Sequence, residues 1–485
     1  MVADTALKHI AVVGAGAVAH AAAFTLARAL KPSGVEVTLV VTPAAPGDQQ
    51  QVEISQPALH ELIGIWGLPE PALLKACDGL YGLGFEYQPL GREGFFLPFG
   101  RHGIDPAPAS FEQGFFKCHP GAIAQRYSEH FLATQAARRG QFDFPVDDPR
   151  SIKSTLRYGL HLDHSRLCDT LADYGERLGL RVCKASLDDV ERGVDERIAA
   201  VRLGNGERLV ADFYIDATGA ESRLLGEALD VGFEDWEHWL PWTVQSQLSL
   251  PPEAQPQPRA RLCQTDFGWE RRAGLRSCER IDALGTAQTD WVGWCRAYGQ
   301  ADEALRALRP GRREVFWRGN CLALGDAAGS ATPLVLSELH WACKALLLWL
   351  ELYPDKRLSN ALQGEYNRRA GAMLAAIRDF HLAHRLAETG VTLEQRDAWP
   401  ASLRFRLSLF ETQGRLWPED EEAVPQEAWI ILLTGLGVQP ARYDRLLDAL
   451  PDGQLADLHR RIQQALDRAL ATMPTLSKVL ARDAG

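Results

Sequence analysis

The sequence predicts an α/β fold that binds a dinucleotide and ends in a helical extension, and three glycine-bearing strand exits predict it. These are Gly14-Ala15-Gly16, Ala217-Thr218-Gly219 and Gly325-Asp326. Each follows a short apolar run of strand length, and each puts glycine where the backbone can approach a ligand closely. With 485 residues the chain suits one large domain plus an appendage, or two domains sharing an interface.

The first exit is the most explicit. His9 to Val13 is an apolar run, and Gly14-Ala15-Gly16-Ala17-Val18-Ala19 then opens an Ala-rich segment reaching Leu30. In this Gly-x-Gly-x-x-Ala spacing Gly14 turns the chain, Gly16 lets a pyrophosphate come close, and Ala19 lets the helix pack tightly on its strand. The phosphates would sit on the free N–H groups of Ala17 and Val18 at the helix N-terminus. A second strand, Val35 to Val41, follows the turn Pro32-Ser33-Gly34. A dinucleotide fold usually places an acid at its end to bind the ribose. Val41 and Thr42 stand there instead, so Thr42 is left to make a single hydrogen bond.

The second exit closes the apolar strand over 211–217. The third lies in Asn320-Cys-Leu-Ala-Leu-Gly-Asp-Ala-Ala-Gly-Ser330, read as a strand followed by Gly325-Asp326 and a new helix. Asp326 can accept hydrogen bonds from a polyol chain while the helix N-terminus faces a polarisable ring. Any one of the three is compatible with an ordinary strand–turn–helix junction. All three in this order select FAD over NAD, with Gly14, Gly16, Ala17, Val18, Ala19, Thr42, Gly325, Asp326 and Ala328 as the expected contacts.

Composition narrows the class. With 46% hydrophobic and 24% charged residues the chain is an ordinary globular protein. A net charge of -11 speaks against nucleic acid as a partner, because phosphate binding needs concentrated Lys and Arg. Nine scattered cysteines without a CxxC pair read as reduced thiols of a cytoplasmic enzyme, not as a disulfide framework or metal site. The apolar stretch from Ile10 to Leu30 is interrupted by Gly14, Gly16, His20 and Arg28, so neither a signal peptide nor a membrane span is expected.

Further blocks carry a resemblance. They are Val52 to Leu59, Ala76 to Phe85, Tyr158 to Asp163, Gly325-Asp326 with Pro333-Leu334, and Tyr366 to Arg369 through Ile377 to Leu382. The tail adds Trp429 to Leu446 and Met473-Pro474-Thr475. With these the chain resembles the flavin-dependent tryptophan halogenase family nearly end to end. The resemblance implies a GR2-type, Rossmann-like FAD-binding domain, a mixed-sheet substrate region and a helical C-terminal extension. The expected division is 1–390 for the FAD-binding domain, with substrate-facing insertions around 90–150 and 230–300, and 391–485 for the helical part. It also implies FAD supplied in reduced form by a separate flavin reductase, reaction with oxygen, capture by halide, and passage of hypohalous acid to a lysine beside an aromatic substrate.

Three departures bear on that chemistry. Leu80-Tyr81-Gly82 puts glycine on the lysine position, and glycine has no amine to carry or orient an oxidant. Val335-Leu336-Ser337-Glu338 stands where the family has glutamate followed by Ser-Thr-Gly. Glu338 then replaces a glycine whose backbone approaches the halide, and a carboxylate there repels an anion. Its plainer role is that of a helix N-terminal residue favoured by the dipole. In the Trp-x-Trp-x-Ile-Pro motif Trp269 is kept, while Arg271 replaces the second Trp and Ala273-Gly274 the Ile-Pro pair.

The expected function is therefore that of an FAD-dependent monooxygenase hydroxylating an aromatic or indole-like group, on a small molecule or on a protein such as a tryptophan side chain. A halogenase with an atypical site and a non-catalytic flavin-binding assembly protein are the alternatives. Glu338 and His340 are the candidate proton carriers, although a histidine at a helix start more commonly serves in packing. Asp163 reads as the N-cap of an amphipathic helix. The Pro-, Gly- and His-rich stretch 101–149 is expected to form long loops with the character of a lid.

Overall fold

The computed structural model describes residues 5–43, 51–103, 109–119, 124–193, 197–300, 305–388, 392–417, 423–451 and 453–483. The chain forms two compact units, each assembled from three segments. The first takes Met1–Gly79, Leu162–Leu248 and Asp282–Arg378, and the second Leu80–His161, Ser249–Ile281 and Asp379–Gly485.

The first unit is built on a six-stranded sheet of β1 (His9–Gly14), β2 (Glu36–Val41), β3 (Arg181–Lys184), β4 (Phe213–Ala217), β5 (Trp317–Arg318) and β6 (Cys321–Ala323), in the order β5-β6-β4-β1-β2-β3. All neighbours run parallel except β5 and β6. The residues Ile10 to Val13 of the central strand are fully buried, which explains a continuous apolar run in place of an alternating one. Helix α1 (Ala17–Ala29) packs on α2 (His164–Leu178) and α3 (Glu338–Glu351). Half of its buried residues are alanine, which lets the helices approach closely at those positions. Gly14 cannot be anything larger, since a β-carbon there would lie 2.0 Å from the Ala217 carbonyl oxygen at the end of β4.

Asp163 caps α2 by accepting the Arg166 N–H at 3.0 Å, and Gly179 in a left-handed conformation (φ 96°) ends it. The third glycine-bearing exit differs from the strand–turn–helix that the sequence predicts. Gly325-Asp326 does not open a helix: Gly325–Ala327 is a single 3-10 turn, Gly329–Ser330 pairs with Gly311-Arg312, and α3 begins only at Glu338. A β-carbon on Gly329 would sit 2.6 Å from the Gly311 carbonyl, so this glycine serves a close strand contact and not a helix. Ser337 then caps α3 through the His340 N–H at 3.0 Å.

In the second unit the strands Trp269–Gly274, Ala260–Gln264, Gly84–Gln88 and Phe95–Pro98 lie side by side in that order. Leu80–Gly82 pairs antiparallel with residues 159–161. Its C-terminal part is helical, including Ala401–Gln413, Gln426–Gly435, Gln454–Leu470 and Leu476–Asp483. The stretch expected to be long loops contains helices Phe111–Cys118, Ala124–Ser128 and Leu132–Arg138, while 104–108 and 120–123 lie outside the described residues. Phe111 and Phe115, one turn apart, are buried on one face, a period masked in the sequence by the Pro and Gly around it. No described helix is long and apolar enough to cross a membrane.

Candidate functional site

The three glycine-bearing exits meet in the first unit around a cavity of about 650 Å³, within the range of cofactor sites. Ala15 to Val18 line it from the start of α1, Thr218 to Glu221 from the exit of β4, and Asp326 from the 3-10 turn. Thr42 and Pro43 border it at the end of β2, together with Gln51, His164 and Ser186. Gly14, Ala19, Gly325 and Ala328 do not line the space and act behind it. Gly14 and Ala19 set the contact of strand with helix, and the Ala328 N–H closes the 3-10 turn on the Gly325 carbonyl at 3.0 Å.

The cavity fits a dinucleotide. A β-carbon added to Gly16 would meet no heavy atom within 4 Å, and the same holds for Gly219, which has φ 74°, so both glycines face open space. No side chain caps α1, which leaves its first N–H groups for an anion. Arg223 and Arg306 add cations to the lining. These residues would hold the pyrophosphate of FAD, with Asp326 placed to accept from the polyol chain.

Asp216 shapes this wall from behind. Its fully buried carboxylate accepts from the Thr218 hydroxyl at 2.6 Å, the Ser222 hydroxyl at 3.2 Å, and the backbone N–H groups of Leu224 and Leu225 at 3.0 and 2.8 Å. These bonds hold Ser222 in a left-handed conformation with φ 49°, which a serine adopts only at some strain. The sequence shows Asp216 merely as a strand end.

Glu338 lies on the cavity. Its Oε1 accepts the Asp326 N–H at 3.0 Å, and Arg306 stands 2.8 Å from Asp326 Oδ2 and 3.6 Å from Glu338 Oε2. The carboxylate thus occupies the space beside the Gly325 turn, where a β-carbon on Gly325 would meet Glu338 Oε1 at 2.4 Å. A second anion about 4 Å from it would be repelled by roughly 1 kcal/mol in water and 4 kcal/mol at the effective dielectric of a protein surface. Ser337 donates its hydroxyl to Glu53 at 2.6 Å, while Val335 and Leu336 are buried apolar residues. His340 is buried in the first turn of α3 and lines neither this cavity nor the small pocket beside Pro333 and Trp341. Among the cavity residues that no sequence motif signals are Arg306, Arg223 and His164.

The second unit contains the Gly82 position. A β-carbon there would lie 2.6 Å from His161 Nε2, and His161 Nδ1 stands 3.3 Å from the Gly274 carbonyl. A carbonyl only accepts, so Nδ1 carries the proton and Nε2 presents its lone pair towards Gly82. Burial pushes the imidazole down to about 4, so it is neutral at physiological pH. Two of the positions that depart from the resemblance, Gly82 and Gly274, therefore meet at one histidine. Trp269 and Arg271 are both buried.

The family model described as tryptophan halogenase matches residues 9–452. Tryptophan 7-halogenase RebH of Lentzea aerocolonigenes is 24% identical over 423 residues, covering 78% of this chain and 76% of that protein. Tryptophan 6-halogenase SttH of Streptomyces toxytricini is 24% identical over 471 residues, covering 84% and 85%. Among solved structures, the flavin-dependent halogenase Xcc4156 from Xanthomonas campestris superimposes with a TM-score of 0.90 at 24% identity, over 98% of each chain. BrvH, a flavin-dependent halogenase from Brevundimonas sp. BAL3, gives 0.89 at 23% identity over 99% of this chain and 100% of that one.

Proposed function

The chain belongs to the tryptophan halogenase family, and from that premise we propose that it uses reduced FAD and molecular oxygen to hydroxylate an aromatic, indole-like group, a tryptophan side chain being one case. FAD is the cofactor of this family, and a separate flavin reductase supplies it in reduced form. The observation that carries the reading is at Gly82. There is neither an amine nor room for one, because His161 Nε2 stands 2.6 Å from where a β-carbon would be.

Bound reduced FAD supplies two electrons to oxygen; with two protons, one oxygen atom enters the aromatic C–H as hydroxyl and the other leaves as water. Gly16 and the N-terminus of α1 bind the pyrophosphate, and Asp326, oriented by Arg306, binds the polyol chain. Of the two expected proton carriers, Glu338 is the one on the cavity and takes that role, with Oε1 fixed on the Asp326 N–H. Its charge also disfavours a halide at the same place.

Halogenation remains the second reading, favoured by the activities named for the relatives RebH and SttH. The two are separated by supplying reductase, FAD, oxygen and bromide or chloride together with tryptophan, simple indoles and tryptophan-containing peptides. A hydroxylated product supports the proposal, and a halogenated product at ordinary turnover, on the order of one per second, removes it.

A further inference from the structure

Three charged residues from separate parts of the first unit close a ring on the cavity wall. Arg306 comes from the strand Leu305–Ala307, Asp326 from the 3-10 turn, and Glu338 opens α3. Arg306 Nη2 stands 2.8 Å from Asp326 Oδ2 and 3.6 Å from Glu338 Oε2, and Glu338 Oε1 accepts the Asp326 N–H at 3.0 Å. One nitrogen therefore faces both carboxylates, which the turn holds close together. Across its own ladder Arg306 lies directly opposite Gln245, whose buried side chain places Oε1 3.5 Å from Nη1, the second terminal nitrogen of the same guanidinium.

Two carboxylates this close disfavour each other's ionised form, and a cation between them removes the conflict. Burial decides how much this matters. The side chains of Arg306, Asp326 and Glu338 are 17%, 9% and 24% exposed, so water screens the ring far less than it screens a surface ion pair. The other charged groups around the ring belong to the elements packed on it. Glu221 and His164 lie on the cavity, as does Arg223 with Glu227 3.7 Å away. Asp216 is engaged behind the wall, Arg313 bonds the Val231 carbonyl at 3.1 Å, and His20 of α1 and His340 of α3 are buried. The two acids of the ring also differ in task, since Asp326 faces the polyol of FAD and Glu338 is the proton carrier of the proposed reaction. An arginine shared between them ties cofactor binding to the charge of the carrier, and such a tie acts in both directions.

We propose that Arg306 is a positioning residue that holds Asp326 and Glu338 side by side in their ionised forms, so that FAD binds with little dependence on pH while Glu338 stays ready to accept a proton. The inference rests on the hydroxylase reading for the task of Glu338 alone. The coupling of the three charges needs neither substrate nor turnover and is measured without them.

The test is calorimetric binding of FAD to the full chain at pH 8 and pH 5.5, for the parent, Arg306→Gln, Arg306→Lys, and Arg306→Gln combined with Glu338→Gln. Groups common to all four chains, His164 among them, titrate alike and cancel in the ratio of variant to parent. Arg306→Gln should bind at least tenfold more weakly than the parent at pH 8 and within threefold of it at pH 5.5, where the uncompensated pair takes up a proton. Arg306→Lys keeps the charge and should stay within threefold at both. The double variant removes one carboxylate charge along with the cation, so its affinity at pH 8 should return to within threefold of the parent. Circular dichroism checks the fold of each chain at both pH values. If Arg306→Gln does not fold, the double variant decides: near-parental affinity at pH 8 supports the coupling, and failure to fold or to bind rejects it. An equal effect of Arg306→Gln at both pH values, or a double variant that binds no better, overturns the proposal and leaves Arg306 as a cation for the pyrophosphate alone. The identity of the product is a separate assay, so either result leaves the hydroxylase reading to be judged independently.

Discussion

His161 Nε2 stands 2.6 Å from the position a β-carbon would take on Gly82, so these two residues share a space that holds only one side chain. Gly82→Lys should therefore be destabilised by about 1–3 kcal/mol, the usual effect of overpacking a filled interior. Gly82→Lys with His161→Ala should recover most of that loss. Urea unfolding of the three proteins measures it, and a Gly82→Lys chain as stable as the parent would show that the space is not shared.

Gly16→Val makes the opposite kind of change. Beyond its chain neighbours no protein atom lies within 4 Å of the added β-carbon, so the melting temperature should move little, while the branched side chain would project into the cavity where the pyrophosphate is proposed to sit. Flavin affinity in calorimetry should fall at least tenfold. Undiminished affinity would remove Gly16 from the cofactor site.

Glu338→Gln keeps an oxygen for the Asp326 N–H and loses the charge and the titratable proton. FAD binding should stay within about threefold, and hydroxylation should slow on the order of a hundredfold, as expected when a general acid–base is removed. A variant with unchanged rate would show that the protons travel by another route.

The strand–turn–helix at Gly14 to Ala19 was legible because glycine spacing, strand and helix are all local. What the sequence did not reveal joins distant segments. Arg306 meets Asp326 from another strand, Asp216 organises the backbone out to Leu225, and His161 reaches Gly82 across a ladder. The turn at Gly325 misled for a related reason. The helix expected directly after Asp326 does not form there, because Gly329 lies against Gly311, a residue no local pattern connects to it. Thr42 lines the cavity at the end of β2.

Buried histidines set a pH dependence. The folded state holds His161 at about 4 and His384 at about 3, both through burial, against 6.5 for an ordinary imidazole. The unfolded chain therefore takes up protons first as pH falls. Stability from the neutral rings is complete above pH 6.5 and is lost progressively towards pH 4, by roughly 3 kcal/mol at most for His161. Denaturation at pH 7.5, 6 and 5 should show the decline, and His161→Asn should flatten it. An equal slope in the variant would assign the loss to other groups.

The fate of oxygen separates hydroxylation from halogenation most directly. The full chain, a flavin reductase, FAD, bromide and labelled molecular oxygen are incubated with free tryptophan and with a tryptophan-containing peptide, and the products are weighed by mass spectrometry. The result predicted is a hydroxylated product carrying one labelled oxygen atom, unaffected by halide and absent under strict anaerobiosis. A brominated product, or a hydroxylated one without the label, would contradict it.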